Sequence, residues 1–255
     1  MDTKTLRRQI EEASLNAWPA LQQILYDGWI LRFSGGYTKR ANSVNSLYES
    51  RLKTETKVRF AEKCYRDRDM PTIFRITPFC TPRDLDAFLA QRGYAQLDPT
   101  QVMVLDPAEP YPPSSVVSPE AEGQIRQQRL DEWLAPFAHL RNQHVASQQM
   151  HRAILCSIAG EVQPYLLNVR GTSVACALGV LEEDQLGLFD LFVDPAFRNR
   201  GYGTALTSYI LEQAKQRGVR WVYLQVTEAN EAAQRLYRGL GFWELYRYWY
   251  RIRRG

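Results

Sequence analysis

Two stretches of the chain combine residue types that can do chemistry together. The first is Arg198-Asn-Arg-Gly201-Tyr-Gly203-Thr204, which follows an apolar run from Leu186 to Val193 and the breaker Asp194-Pro195. A helical apolar pattern begins near Thr204. Glycines let backbone N–H groups approach a ligand closely, and the first turn of a helix has N–H donors without intrahelical acceptors. With Arg198 and Arg200 beside it, such a turn is an anion site, best suited to phosphate or pyrophosphate. It is not a nucleoside-triphosphate loop, because no Gly-Lys-Ser/Thr follows. Nor is it a dinucleotide fingerprint, since Leu206 stands where the third glycine belongs.

The second stretch is Asn230-Glu-Ala-Ala233-Gln-Arg-Leu-Tyr237, followed by Gly241-Phe242. Read as one helix at about 100° per residue, it superimposes Asn230 on Tyr237, an amide and a phenol beside the apolar stripe of Ala229, Ala232, Leu236 and Leu240. On its own this also describes a boundary tyrosine that donates to a nearby carbonyl.

The elements that must position these groups are legible around them. Residues 120–255 read as two helices (130–141 and 146–158), an antiparallel meander through residues 165–193, the turn, a helix over 204–217, a buried strand 221–226, the 230–239 helix and a last aromatic-rich strand. Asp190 alternates with Leu191 and shares a strand face with Leu188 and Phe192, which either points it at the acceptor side or pairs it with a neighbouring strand or loop. Upstream, a helix over residues 3–17 precedes a hairpin turning at Gly35-Gly36. Then come a helix over 54–69, a strand over 71–77, a helix capped by Thr81 with Pro82 at its first position, Gly93, and a strand over 101–105. Prolines at 107, 110, 112, 113 and 119 mark a stiff linker. The expected division is therefore residues 1–106, a linker 107–119, and residues 120–255.

Composition limits the function classes. The net charge is +4, no apolar run reaches membrane-spanning length, and the start lacks a signal-peptide core. Four scattered cysteines without Cys-x-x-Cys spacing predict a reduced, cytoplasmic protein without disulfides. The three histidines, His139, His144 and His151, have no fixed acid or cysteine beside them, so no metal site is expected. The charge does not call for nucleic acid as a partner. Arg251, Arg253 and Arg254 read as a solvated tail.

Together, Val193-Asp-Pro195, Arg198-x-x-Gly201-x-Gly203 and the later Asn230, Ala233, Tyr237, Gly241-Phe242 resemble the GNAT superfamily of acyl-CoA-dependent N-acyltransferases over roughly residues 120–255. The resemblance implies an α/β (α+β) GNAT fold, a mixed and mostly antiparallel sheet flanked by helices. It also implies that Leu191, Phe192 and Val193 offer backbone groups to pantetheine, and that Arg198, Asn199, Arg200, Gly201, Tyr202, Gly203 and Thr204 hold the pyrophosphate. Asn230 would meet the CoA arm, and Tyr237 would protonate the leaving thiolate. The reaction implied is acetyl transfer from acetyl-CoA to a primary amine by direct attack, with the thioester carbonyl polarised by an N–H near Val193. Asp190, Glu182, Glu183, Glu228 and a water relay all stand open as the base. The order of strand, helix, Gly-aromatic and strand in the first half mirrors the end of the second, which resembles two-domain members with a degenerate N-terminal half. Such a chain would be a monomer with pseudo-dimeric halves or a homodimer. A non-catalytic acyl-CoA-binding module is the alternative from another class.

Overall fold

The computed structural model describes residues 2–109 and 125–253. From residue 110 onward the expected linker lies outside these residues, as does Arg254. Packing gathers the chain into two compact units, and neither follows the division expected at residues 107–119. The first contains residues 1–17, 102–226 and 230–245; the second contains residues 18–101, 227–229 and 246–255. The exchange has a simple origin. The final strand of each sequence half, β5 (Ala95–Leu105) and β11 (Trp243–Arg253), runs out of one unit and ends in the other. Long-range pairing of this kind leaves no trace in local periodicity.

In the second unit the strand order is β1 (Gln22–Tyr26), β2 (Trp29–Phe33), β3 (Val44–Ser46), β4 (Thr72–Ile76), then the later part of β11. The expected antiparallel pair across Gly35-Gly36 forms, β2 against β3 with Trp29 opposite Ser46. A second, tighter hairpin precedes it at Asp27-Gly28, where Tyr26 pairs with Trp29 and both turn residues have positive φ (43° and 82°). That is the two-residue turn whose twist suits an antiparallel pair. Helices α2 (Thr54–Arg66) and α3 (Leu85–Gln91) bury Val58, Ala61, Tyr65, Leu85 and Leu89 against Trp29, Leu31, Val44 and Phe74. α3 starts later than the cap expected at Thr81: Asp84 holds the N-cap position without a side-chain cap bond, and Leu85 N–H donates to Pro82 O in the turn before the helix. Arg251 is no solvated tail. It makes two bonds to the Asp86 carboxylate, 2.7 and 3.0 Å, and holds that carboxyl below its usual range.

The first unit carries the candidate site. Helix α1 (Thr3–Asn16), capped by Asp2, belongs to it. Its strands run in the order β5 (from Val102), β10 (Trp221–Thr227), β9 (Gln185–Val193), β8 (Thr172–Glu182), β7 (Glu161–Val169) and β6 (Ile125–Gln127). β7, β8 and β9 form the expected antiparallel meander, while β9 and β10 are parallel. Helices α6 (Tyr202–Gln216) and α7 (Glu231–Gly239) contribute Tyr202, Leu206, Ile210, Leu211 and Tyr237 to one core with Tyr165, Ala175, Val222 and Leu224. Helices α4 (Leu130–Leu140) and α5 (Val145–Cys156) bury Trp133, Phe137, His151, Ile154 and Leu155, and the Trp133 indole N–H donates to the Tyr165 carbonyl. α3 and α7 stop in the same way. Tyr94 N–H donates to Leu89 O and Phe242 N–H to Tyr237 O, beside Gly93 and Gly241 at positive φ. The mirrored halves thus share a helix ending.

Gly187, mid-strand in β9, is fixed by close packing. A Cβ there would fall 2.7 Å from the Tyr223 ring and closer still to Phe189, two rings packed edge to face. Gly187→Ala is therefore expected to destabilise the fold by about 1–3 kcal/mol. That corresponds to a melting temperature lower by about 2–4 °C per kcal/mol; thermal unfolding checks it, and an unchanged midpoint would contradict the packing.

Candidate functional site

β9 and β10 share register from Gln185↔Trp221 to Leu188↔Leu224, and among the described residues no pairing between them continues beyond that point. On its other edge β9 stays bound to β8, with Cys176 opposite Phe192 and Ala175 opposite Val193. Register slips between Cys176 and Leu178, so that two residues, Asp190 and Leu191, face Ala177 alone. This is a β-bulge, with Asp190 in the left-handed region at φ 49°. The bulge bends β9 where it parts from β10. It leaves the Leu191–Val193 backbone with one edge free of β10, which suits an extended ligand lying along the strand.

β9 leads straight into the anion turn. The Asp194 side chain accepts from Ala196 N–H and opens a single 3-10 turn over Pro195–Phe197. Asn199 (φ 61°) and Gly201 (φ 82°) then fold the chain into α6, which begins at Tyr202, two residues before the expected start. Gly201 O accepts the first helical bond from Ala205, so the amides of Tyr202, Gly203 and Thr204 have no acceptor within the helix. Arg198 and Arg200 are exposed. Arg198 Nε donates to Val193 O at 3.2 Å, which folds its guanidinium back toward the strand end. Tyr202 offers only its backbone here, because its ring is buried against Phe197. Gly203 lets α7 come close: a Cβ there would meet Leu236 at 3.0 Å.

Asn230 is not inside α7, as the sevenfold spacing suggested. It is the N-cap, with φ −92° and ψ 67°, and its Oδ1 accepts from Ala233 N–H at 3.2 Å. A short polar side chain just before a helix is used in this way before it is used for a ligand. Tyr237 lies in the core against which Leu188, Leu191 and Val193 pack, edge to face with Phe242. Burial pushes its phenol well above the usual range, so it is protonated at neutral pH.

Of the acids considered as base, Asp190 lies on β9 itself where the strands part. Glu182 accepts from Asn16 and Glu183 sits in the β8–β9 turn, five or more residues from Asp190 along an extended strand, about 17 Å away. Glu228 follows β10 directly and pairs with Arg247 at 2.9 Å. Asp190 does not share one regular strand face with Leu188 and Phe192, as expected, because the register slip at the bulge breaks the alternation there. Its Oδ2 lies 2.8 Å from His151 Nε2. That histidine, for which no partner was expected, is buried against the stacked rings of Phe137 (4.6 Å) and Trp133 (6.1 Å). The available signal was its place on the buried face of α5 with Ile154 and Leu155. Arg141 had no sequence signal. Its guanidinium lies 4.9 Å from the Phe192 ring, with Arg198 at 5.6 Å from the same ring, so two cations flank the strand end. Among the described residues no group of three or more His, Cys, Asp or Glu is arranged to hold a metal, and no helix is long and apolar enough to cross a membrane.

Comparison with known proteins agrees with this geometry. Residues 5–251 match the family described as "Probable histone acetyltransferase Rv0428c C-terminal". The chain is 28% identical over 260 residues to the uncharacterized N-acetyltransferase YobR of Bacillus subtilis, covering 97% of this chain and 98% of that one. In structure it is similar to a GCN5-related N-acetyltransferase from Kribbella flavida, with TM-score 0.71, 15% identity and coverage of 97% and 95%. It is also similar to a tandem GNAT protein from the clavulanic acid biosynthesis pathway, with TM-score 0.63, 16% identity and coverage of 83% and 74%. The parted strands, the glycine turn at a helix start and a match over nearly the whole chain lead to one conclusion: the chain belongs to this acetyltransferase family of the GNAT superfamily, and is an N-acetyltransferase with a tandem GNAT fold.

Proposed function

We propose that the chain transfers an acetyl group from acetyl-CoA to a primary amine, of a small molecule or a peptide, by direct attack. One observation carries this reading: the free edge of β9 beyond Leu188 runs without interruption into the glycine turn at the start of α6. An acyl-CoA needs that combination, an extended arm followed by a doubly charged pyrophosphate. Leu191, Phe192 and Val193 would hold the arm by their backbone. The amides of Gly201 to Thr204, with Asn199 and the cations Arg198 and Arg200, would hold the pyrophosphate. Arg141 adds charge at the same strand end. The part of Asn230 left for the CoA arm is its amide nitrogen, since Oδ1 caps α7.

Bound acetyl-CoA supplies a thioester, in which the C–S bond breaks as the C–N bond to the amine forms. A backbone N–H near Val193 would polarise the carbonyl oxygen. The Tyr237 hydroxyl would give its proton to the departing sulfur, a role that suits a phenol kept protonated by burial. The Asp190 carboxylate would take the proton from the amine. The reading also treats the N-terminal half as a GNAT-like repeat without the cofactor turn, joined through residues 107–119. The four cysteines, all free thiols, fit the cytoplasm.

Two substitutions test the assignment. Gly201→Glu puts bulk and like charge at a left-handed position facing the pyrophosphate. It is expected to weaken CoA binding by more than about tenfold by calorimetry, and unchanged affinity would remove the turn from the site. Tyr237→Phe is expected to lower the rate of thiol release by about 10²-fold or more while CoA affinity stays within about twofold; an unchanged rate would remove Tyr237 from proton transfer.

A further inference from the structure

We propose that His151 is a positioning residue for amine deprotonation: from within the α4–α5 pair it holds the Asp190 carboxylate at the β9 bulge, with one oxygen tied and the other turned to the acceptor. The inference rests on the acetyl-transfer reading above. Three observations on the first unit carry it. Asp190 stands at the bulge in the left-handed region, φ 49°, which takes its side chain out of the strand's alternation. Second, the Oδ2–Nε2 contact of 2.8 Å joins a side chain with 1% exposure to one that keeps 17%. The pair therefore has a buried end, at the imidazole, and an end open to a substrate, at the carboxylate. Third, the imidazole is buried and packs against Phe137 and Trp133, so its bond fixes the carboxylate's orientation. The Cys176 thiol, kept neutral by burial, lies 3.7 Å from the Asp190 carbonyl and braces the same bend.

The chemistry is balanced. An ionised carboxylate only accepts, so Nε2 carries the hydrogen and donates to Oδ2. As the amine nitrogen bonds to the acyl carbon, its N–H bond breaks and the proton passes to the free Oδ1. The sulfur takes its proton from Tyr237. His151 exchanges no proton in the step. It holds Oδ1 in line and gives the carboxylate one strong hydrogen bond in a water-poor setting.

The test compares His151→Leu, His151→Gln, Asp190→Asn and the double variant His151→Leu/Asp190→Asn. Thiol release from acetyl-CoA with a panel of primary amines is measured alongside CoA affinity. His151→Leu removes the donor; His151→Gln places an amide N–H where Nε2 was. His151→Leu is expected to lower kcat by about 10-fold or more, and Asp190→Asn by about 10²-fold. The double variant should be no slower than Asp190→Asn alone, because the two act as one unit. His151→Gln should return to within about threefold of wild type, and CoA affinity should be unchanged throughout. If His151→Leu does not fold, His151→Gln against Asp190→Asn decides. Full activity in His151→Leu overturns the inference, as does a loss in His151→Gln equal to that of Asp190→Asn, or independent losses that multiply in the double variant. A wild-type protein that releases no thiol with any amine overturns the acetyl-transfer reading itself, a result distinct from active wild type with active His151→Leu.

Discussion

The parting of two parallel strands governs this molecule's site. Parallel neighbours in a sheet normally pair along their length, because an unpaired backbone group costs free energy wherever water cannot reach it. Here β9 and β10 stop pairing after Leu188 and Leu224. The bulge at Asp190 and the Asp194-Pro195 break carry β9 out of line. On β9 this leaves the edge of Leu191 to Val193 unpaired with β10, and an extended polar ligand suits such an edge. The turn that follows and the helix start with unaccepted amides lie downstream of that separation, and Arg141 and Arg198 flank it at Phe192.

The same bend explains the companions of the site. Gly187, just before the parting, leaves space for the Tyr223 and Phe189 rings that hold the paired part of the strands together. Gly203, just after it, lets α7 approach through Leu236, and α7 carries Tyr237. At the bulge itself, alternation breaks and Asp190 turns to the buried His151. Two glycines that admit neighbours and one acid displaced by a register slip therefore define where Tyr237 and Asp190 stand.

Much of this was legible in the residues. The breaker Asp194-Pro195, the Arg198-x-x-Gly201-x-Gly203 turn and the order of strands and helices in the second half followed from local chemistry, and local chemistry is what periodicity records. The missed features are those set by distant partners. A bulge is a mismatch between two strands, so Asp190 on its own strand looked like any alternating residue. His151 was weighed for metal spacing along the sequence, whereas its partner is on another element 39 residues away. Strand β1 was overlooked because its residues are largely exposed, so its apolar pattern is weak, although Asp27-Gly28 marked the hairpin. The exchange of β5 and β11 between compact units depends on pairings that no window of sequence contains.

The central claim is that the parted edge of β9 and the turn after it form one acyl-CoA site, and a crystal structure of the protein with CoA bound tests it most directly. The account predicts the pantetheine arm along Leu191–Val193, the pyrophosphate on the amides of Gly201 to Thr204, and the thiol beside the Tyr237 hydroxyl. CoA bound elsewhere, or a β9 edge closed onto β10 when CoA is present, would contradict it.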